Sequence, residues 1–291
     1  VRFGTLDRRF VLVDKSPSGL MILDVETASS GLLPADAVAA LERWDEVCSW
    51  APGADWTEAE PIAIERLGPP VPTPRQVFAV ALNYAPHAAE AGFEPPAEPL
   101  VFTKFPSCVT GGFSTVELPP GHVDWEVEVV AVIGRGGHRI PRGQAWDAVA
   151  GITLGQDLSE RLVQLAGKPA QFSLGKSFPG FGPIGPLAVT PDELADRDDL
   201  AFECSLRSQA DSDLGPEVLQ HGRTSQLIFP VDDLVARLSA ICRLLPGDLI
   251  FTGTPEGVGN RRTPPRFLQP GDVLTSRLEG VGEIRQTFTG A

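Results

Sequence analysis

Beyond residue 76 the apolar runs are short, and each is the length of a strand rather than a helix. They read "VFAVALNY", "LVFTKF", "VEVVAVIG", "AGITLGQD", "LAFECSLR", "DLIFTGT" and "DVLTSRLEG", with turn-forming segments between them. The 28 Pro and 30 Gly fall in no low-complexity tract, so they mark loops between many strands rather than disorder. Helical periodicity is confined to two places. "RGQAWDAVAG" allows one short helix. "VDDLVARLSAICRLL" places Leu234, Leu238, Ile241 and Leu245 on one stripe, with Asp232 or Asp233 as the cap and "PGD" as the stop. "PGDLIFTG" and "PGDVLTSR" echo each other as turn-plus-strand units, too briefly to count as a repeat. The pattern predicts a mainly β, α+β catalytic domain with few short helices.

Residues 1–70 form a smaller α+β unit in this reading. "RFVLVD" and "GLMILDV" predict two strands. "ADAVAALERWDEVCSW" predicts a helix with Val38, Leu41, Trp44 and Cys48 on one face, ended by "APGAD". The Pro-rich "LGPPVPTPRQ", 67–76, cannot pair as a central strand and sets the boundary, leaving 71–291 as the catalytic domain.

Composition excludes several functions. A net charge of -14 opposes binding to nucleic acid and to anionic membrane surfaces. It leaves an anionic substrate open, because a bound metal ion reverses the local field. No apolar run reaches membrane-spanning length. Cys48, Cys108, Cys204 and Cys242 show no C-x-x-C spacing, which fits reduced thiols and a cytoplasmic protein rather than a zinc site or disulfide framework. The opening "VRFGTLDRRFVLVD" is too charged for a signal peptide and alternates like a strand.

"DWEVEVVAVIG", 124–134, carries two carboxylates two residues apart in a run of valines. Strand alternation puts Glu126 and Glu128 on one face and Trp125, Val127, Val129 and Ala131 on the other. Such a pair is either the polar face of a half-exposed strand or a pair of oxygen ligands for a hard divalent cation.

Four further segments carry polar groups of interest. In "LNYAPHAAEAG", Pro86 suits the first helical position, and His87 and Glu90 at i and i+3 share a face. They make either a surface polar contact or a general base, the carboxylate orienting the imidazole. In "GITLGQDLSERLVQ", Asp157 ends an apolar run and is followed by Arg161 and Gln164. Asp157 is a ligand or a helix cap; Arg161 is a carboxylate clamp or a surface charge. Lys176 stands alone among aromatics, glycines and prolines in "FSLGKSFPGFGPIGP", where a lysine often merely snorkels. "FTGTPEGVG", with Thr252 and Thr254, lacks the phosphate-loop lysine but can offer backbone N–H groups to an anion.

In order, "LNYAPHAAE", "DWEVEVVAVIG", "GQDLSERLVQ", "GKSF", "GRTSQLIF", "PGDLIFTGTPEGVG", "LQPGDVL" and "EGVGEIR" resemble the fumarylacetoacetate hydrolase superfamily over residues 75–291. The N-terminal unit resembles the leading domain of many bacterial members. The resemblance implies that family's β-sandwich or roll, and a divalent cation, Mg²⁺ or Mn²⁺, held by Glu126, Glu128 and Asp157. It implies His87 and Glu90 as the base dyad on a lid segment, and Lys176 as a catalytic and substrate-binding lysine. Arg161, Gln164 and Thr254 are assigned to substrate binding. The implied activity is metal-dependent hydrolysis of a C–C bond in a 1,3-dicarbonyl or acylpyruvate-like 2-oxo acid. An oxaloacetate-type decarboxylase, a hydratase or keto–enol isomerase, and a non-catalytic scaffold remain the alternatives. The only partners implied are the small-molecule substrate and a second copy of the chain, as a homodimer. Leu162, His221, Ala81 and Pro86 depart from the family pattern, and the segment from residue 208 to 220 is longer than usual. All of these bear on lid and rim rather than on the ligands.

Overall fold

The computed structural model describes residues 1–16, 19–90, 92, 94–210 and 215–290, so four residues of the long 208–220 segment lie outside the described residues. Eighteen strands are described. The N-terminal ones are β1 (Arg2–Leu6), β2 (Arg9–Ser16), β3 (Gly19–Asp24) and β4 (Glu60–Ile62). Next come β5 (Val77–Ala81), β6 (Leu100–Thr103), β7 (Val109–Gly111), β8 (Phe113–Leu118), β9 (Val123–Asp124) and β10 (Val127–Ile133). The rest are β11 (Val149–Gln156), β12 (Ser159–Glu160), β13 (Gly182–Val189), β14 (Ala201–Arg207), β15 (Glu217–Arg223), β16 (Leu249–Phe251), β17 (Val273–Leu278) and β18 (Gly282–Gly290).

One large sheet runs β4-β3-β2-β1-β13-β11-β10-β16-β5-β6, with β7 paired to β13. A five-stranded sheet, β15-β14-β17-β18-β8, packs across β11 and β13. The fold is therefore mainly β with few short helices. The N-terminal strands join the large sheet through β1, where Arg2 pairs with Val189 and Phe3 with Ala188. Phe3 also packs 5.1 Å from Trp44, the anchor of the N-terminal helices.

β10 sits in the middle of the large sheet, between β11 and β16, and every one of its residues is buried. Val127, Val129, Ala131 and Ile133 face the core shared with the five-stranded sheet; Val130 and Val132 face a second core under the N-terminal helices. A strand covered on both sides needs apolar residues on both faces. The half-exposed alternative for this stretch is thereby corrected: its carboxylates have no solvent face.

Two helical expectations also change. The N-terminal pattern folds as two helices, Ala37–Glu42 and Trp44–Trp50, broken at Arg43, whose guanidinium donates to the Leu32 carbonyl at 2.7 Å. Ala37, Ala40, Leu41, Trp44 and Val47 form the buried face, with Val38 and Cys48 only half-buried. The later helix, Val231–Ile241, ends before "PGD" because Cys242 turns extended and Leu244 bridges to Gly137. Its buried stripe is Val231, Leu234, Val235 and Leu238, leaving Ile241 83% exposed. Asp232 and Asp233 do not cap it; they pair with Arg142 and Arg237.

Asp248 opens β16 and accepts hydrogen bonds from the backbone N–H groups of Gln76 and Leu245 and from the Gln76 side chain. Burial dominates over these donors and pushes its carboxyl up to about 6. A carboxyl raised in the folded state stabilises most below its unfolded pKa, and that stability is lost as pH rises through the folded value. Between about pH 4 and 6 the loss is on the order of 3 kcal/mol. Asp248→Asn should flatten the fall in thermal midpoint across that window, whatever its baseline stability; an unchanged slope would assign the fall to another group.

Candidate active site

The register of β10 on β11 brings the carboxylates together. Val127 pairs with Gln156, the last residue of β11, so Asp157 emerges beside Glu126 and Glu128. Glu126 itself lies in the gap between β9 and β10, rather than inside one continuous strand as its spacing suggested. The gap is pinned by three hydrogen bonds: Glu126 N–H to Gln156 Oε1, Asp157 N–H to the Glu126 carbonyl, and Trp125 Nε1–H to the Gly257 carbonyl. One ligand atom from each of Glu126, Glu128 and Asp157 lies within 4.8 Å of the others.

Three buried cations surround this triad. Lys176 Nζ donates to Glu126 Oε2 at 2.7 Å and to Asp157 Oδ2 at 2.6 Å. Lys104 Nζ donates to Asp157 Oδ1 at 2.6 Å and to the Lys176 carbonyl. Arg161 ion-pairs with Glu126 Oε1 at 2.7 Å, hydrogen-bonds Asp124 Oδ2 through Nε and Nη2, and reaches Gln164 Oε1 through Nη1. Burial alone would raise the Glu126 carboxyl, but Lys176, Arg161 and His87 outweigh it and hold Glu126 at about 2. Glu128 feels Lys176 too, but forms no ion pair with it among the described residues. Burial, then Asp157 and Glu126, push its carboxyl well above the usual range, although the Gly253 N–H donates to its Oε2 at 2.7 Å.

The loop "FTGTPEGVG" does give its N–H groups to anions, and the anions are the protein's own carboxylates. Gly253 N–H caps Glu128, Gly257 N–H caps Glu90 at 3.0 Å, and the N–H groups of Gly259 and Asn260 cap Asp124 at 2.7 and 2.9 Å. Gly257 has φ +101, and a Cβ there would lie 2.2 Å from the Leu219 carbonyl oxygen, so glycine is required by both conformation and space. Thr254 Oγ1 is fully engaged, donating to the Val127 carbonyl and accepting from Gln220.

His87 and Glu90 lie on the helix Ala85–Glu90, with Nδ1 3.2 Å from Oε2. The helix is placed by Asn83, whose buried amide bonds the Phe229 backbone on both sides and the Thr252 carbonyl. A cavity of about 610 Å³ opens over the site, and His87, Glu126, Arg161, Gln164, Lys176 and Thr254 all line it. Glu90 lies behind His87, and Glu128 and Asp157 lie behind Glu126 and Lys176. Of the residues that depart from the family pattern, Ala81 lines this cavity, whereas His221 lines a separate groove with Glu203, Arg223 and Arg277.

Lys104, Asp124 and Gln220 belong to the site and were not singled out from the sequence. Asp124 had a signal, since it shares the parity of Glu126 and Glu128. Lys104 had a weaker one, a charge closing the apolar run "LVFTKF".

The donor set suits a hard divalent cation. Its ligand atoms are all carboxylate oxygens, and they converge where burial and like charge already oppose ionisation of Glu128. Four buried carboxyl groups, Asp124 included, face three buried cations, so the charges balance while Glu128 keeps its proton, and its ionisation adds the negative charge that a divalent ion would meet. Lys104 is fully buried and holds Asp157 in place. Lys104→Met removes that charge and leaves the Lys176 carbonyl without its donor. It should cost about 3 kcal/mol in denaturant unfolding, as expected for breaking a buried pair. A cost below 1 kcal/mol would show that Lys176 alone suffices to hold Asp157.

A sequence model described as the C-terminal domain of fumarylacetoacetate (FAA) hydrolase matches residues 76–289. Oxaloacetate tautomerase FAHD2A, mitochondrial, of Homo sapiens is 41% identical over 217 residues, covering 74% of this chain and 67% of that protein. The crystal structure of a Mycobacterium smegmatis protein provisionally named HpcE superposes with TM-score 0.91 at 50% identity, over 100% of both chains. Fumarylpyruvate hydrolase from Pseudomonas aeruginosa, in complex with Mn²⁺ and pyruvate, is similar with TM-score 0.65 at 34% identity, over 75% of this chain and 90% of that one. The chain belongs to the fumarylacetoacetate hydrolase family of enzymes.

Proposed function

We propose that the chain is a metal-dependent hydrolase that cleaves a C–C bond in an acylpyruvate-like 2-oxo acid or related 1,3-dicarbonyl compound. The observation that carries this is one cavity lined by His87, backed by Glu90, and by Glu126 and Lys176, the accessible edge of the carboxylate–lysine cluster. A proton acceptor and an enolate-stabilising cation then face one substrate. Residues 71–291 serve as the catalytic unit and residues 1–70 as a leading unit, consistent with a family match that starts at residue 76.

Glu126, Glu128 and Asp157 would hold Mg²⁺ or Mn²⁺, and Mn²⁺ is the ion in the P. aeruginosa hydrolase. Bound there, the ion supplies Lewis acidity that polarises the substrate's oxo groups and lowers the cost of an enolate. His87, oriented by Glu90, takes a proton from water, and the hydroxide adds to the distal carbonyl. The C–C bond breaks with its electron pair on the pyruvyl side. Protonation of that enolate gives a 2-oxo acid, and the acyl half leaves as a carboxylic acid. Lys176 has three N–H groups, two of them given to Glu126 and Asp157, so one remains for the developing enolate oxygen. Arg161 attracts the substrate carboxylate from its place in the network. Its bonds to Asp124, Gln164 and Glu126 make it a fixed positive wall; a bidentate grip on substrate would require part of that network to open.

A keto–enol tautomerase acting on the same class of oxo acid is the second reading, favoured by the 41% identity to the human tautomerase. It needs proton transfer at carbon without water addition. Decarboxylation of oxaloacetate would pass through the same enolate. Assembly as a homodimer belongs to the proposal as well. Among the described residues no helix is long and apolar enough to cross a membrane.

The deciding assay supplies Mn²⁺ to purified protein with acetylpyruvate, fumarylpyruvate and oxaloacetate, following diketone absorbance and pyruvate release. His87→Ala should lower acylpyruvate cleavage at least ~100-fold while keeping a Mn²⁺-dependent thermal shift. Glu126→Ala should lose both. Cleavage retained in His87→Ala would remove the histidine from the chemistry. Enol–keto conversion of oxaloacetate, with acylpyruvates untouched, would move the assignment to tautomerase.

A further inference from the structure

We propose that the substrate's distal acyl group is hydrophobic, an extended alkyl or aryl group rather than a second carboxylate. This rests on the 2-oxo acid reading above and specifies its substrate class. The cavity is divided in chemistry. Its floor carries the polar groups already described. Leu100, Val101, Phe102, Leu165, Phe172 and Val258 make up much of the remaining lining, with Gln171, Asn260 and Arg261 as its other polar members. The two zones meet at Phe102: its ring lies 5.2 Å from Lys176 Nζ on one side and makes an edge contact with Phe172, 5.7 Å between centroids, on the other. An acyl chain leaving the lysine would therefore run along aromatic and aliphatic side chains.

Two further observations agree. The cavity's roughly 610 Å³ is in the range of sites for much larger ligands than a four-carbon dicarboxylic acid. Leu100 and Leu165 are 49% and 52% exposed along the cavity, apolar area that an acyl chain would cover. The lining cations Arg161 and Lys176 are already paired with buried carboxylates. The remaining lining cation among the described residues is Arg261, exposed at the rim, and a second substrate carboxylate would have to reach it.

The test measures kcat/KM with Mn²⁺ for acetyl-, butanoyl-, hexanoyl-, benzoyl- and fumarylpyruvate. Binding to the Mn²⁺-loaded protein is measured in parallel by calorimetry for pyruvate, 2-oxooctanoate and 2-oxoglutarate, which lack the cleavable 1,3-dicarbonyl. Transfer of one methylene onto an apolar wall is worth about fourfold. Hexanoylpyruvate should therefore exceed acetylpyruvate on the order of 100-fold, with fumarylpyruvate below it, and 2-oxooctanoate should bind more tightly than 2-oxoglutarate. Leu165→Asp, at a half-exposed position where folding is spared, should collapse the chain-length gain; Leu165→Met should restore it. Acetylpyruvate cleaved as well as hexanoylpyruvate, or preference for fumarylpyruvate and 2-oxoglutarate, would overturn the hydrophobic class and leave hydrolysis standing. An unchanged gain in Leu165→Asp would likewise overturn the assignment of this wall. Absence of cleavage throughout, with affinity still rising with chain length, would overturn hydrolysis and uphold the hydrophobic class.

Discussion

Asp124, Glu126, Glu128 and Asp157 are buried side by side, and the rest of the molecule is arranged to make that tolerable. Four carboxylates in a low-dielectric interior repel strongly and lose their hydration. Lys104, Arg161 and Lys176 offset most of that charge from segments far apart in the chain. Such a cluster contributes little net stability, because desolvating its ions costs about as much as their attraction returns. Its value is geometric. Each cation touches at least two acceptors, so the oxygens are fixed before any ligand arrives. Glu128 is the exception, and its displaced carboxyl marks the point where a further positive charge is wanted.

The loop after β16 supplies the second half of that arrangement. Four of its N–H groups end on carboxylates, one of them Glu90 on the helix that carries His87. The helix carrying His87 and the carboxylate triad are thus referenced to the same short stretch of backbone. Substituting any one of its glycines would move both at once, since a Cβ at Gly253, Gly257 or Gly259 meets neighbouring atoms at 2.8, 2.2 and 2.1 Å.

The mainly β architecture was readable because the short apolar runs leave no room for helices, and seven runs beyond residue 76 each yielded a strand. What local pattern could not carry was burial on both faces. Glu126 and Glu128 look like the polar side of a surface strand until β11 and β16 are placed beside them. The nine site residues were singled out by parity, spacing and isolation among apolar neighbours, their roles came from resemblance, and six of them line one cavity. Parity with Glu126 and Glu128 could have found Asp124, but the partners of Lys104 and Asp124 lie 53 and 37 positions away, and no spacing rule reaches that far. The single N-terminal helix failed through a tertiary bond, Arg43 to the Leu32 carbonyl, and the Leu245 end of the later stripe through a bridge at Leu244.

The chemistry of the floor and the chemistry of the walls answer different questions. A fixed ring of carboxylates and lysines would suit any 2-oxo acid able to become an enolate. Discrimination must come from parts that differ without disturbing the ring. Leu100, Val101 and Leu165 meet that condition: their side chains are about half exposed, and each can change at little cost to folding. Leu162, on the same short helix as Arg161 and exposed where the family pattern carries an acid, extends the apolar character outward. The helix that turns the arginine inward presents Leu162 outward, so its outer face can change without touching the bonds of Arg161 to Asp124 and Glu126.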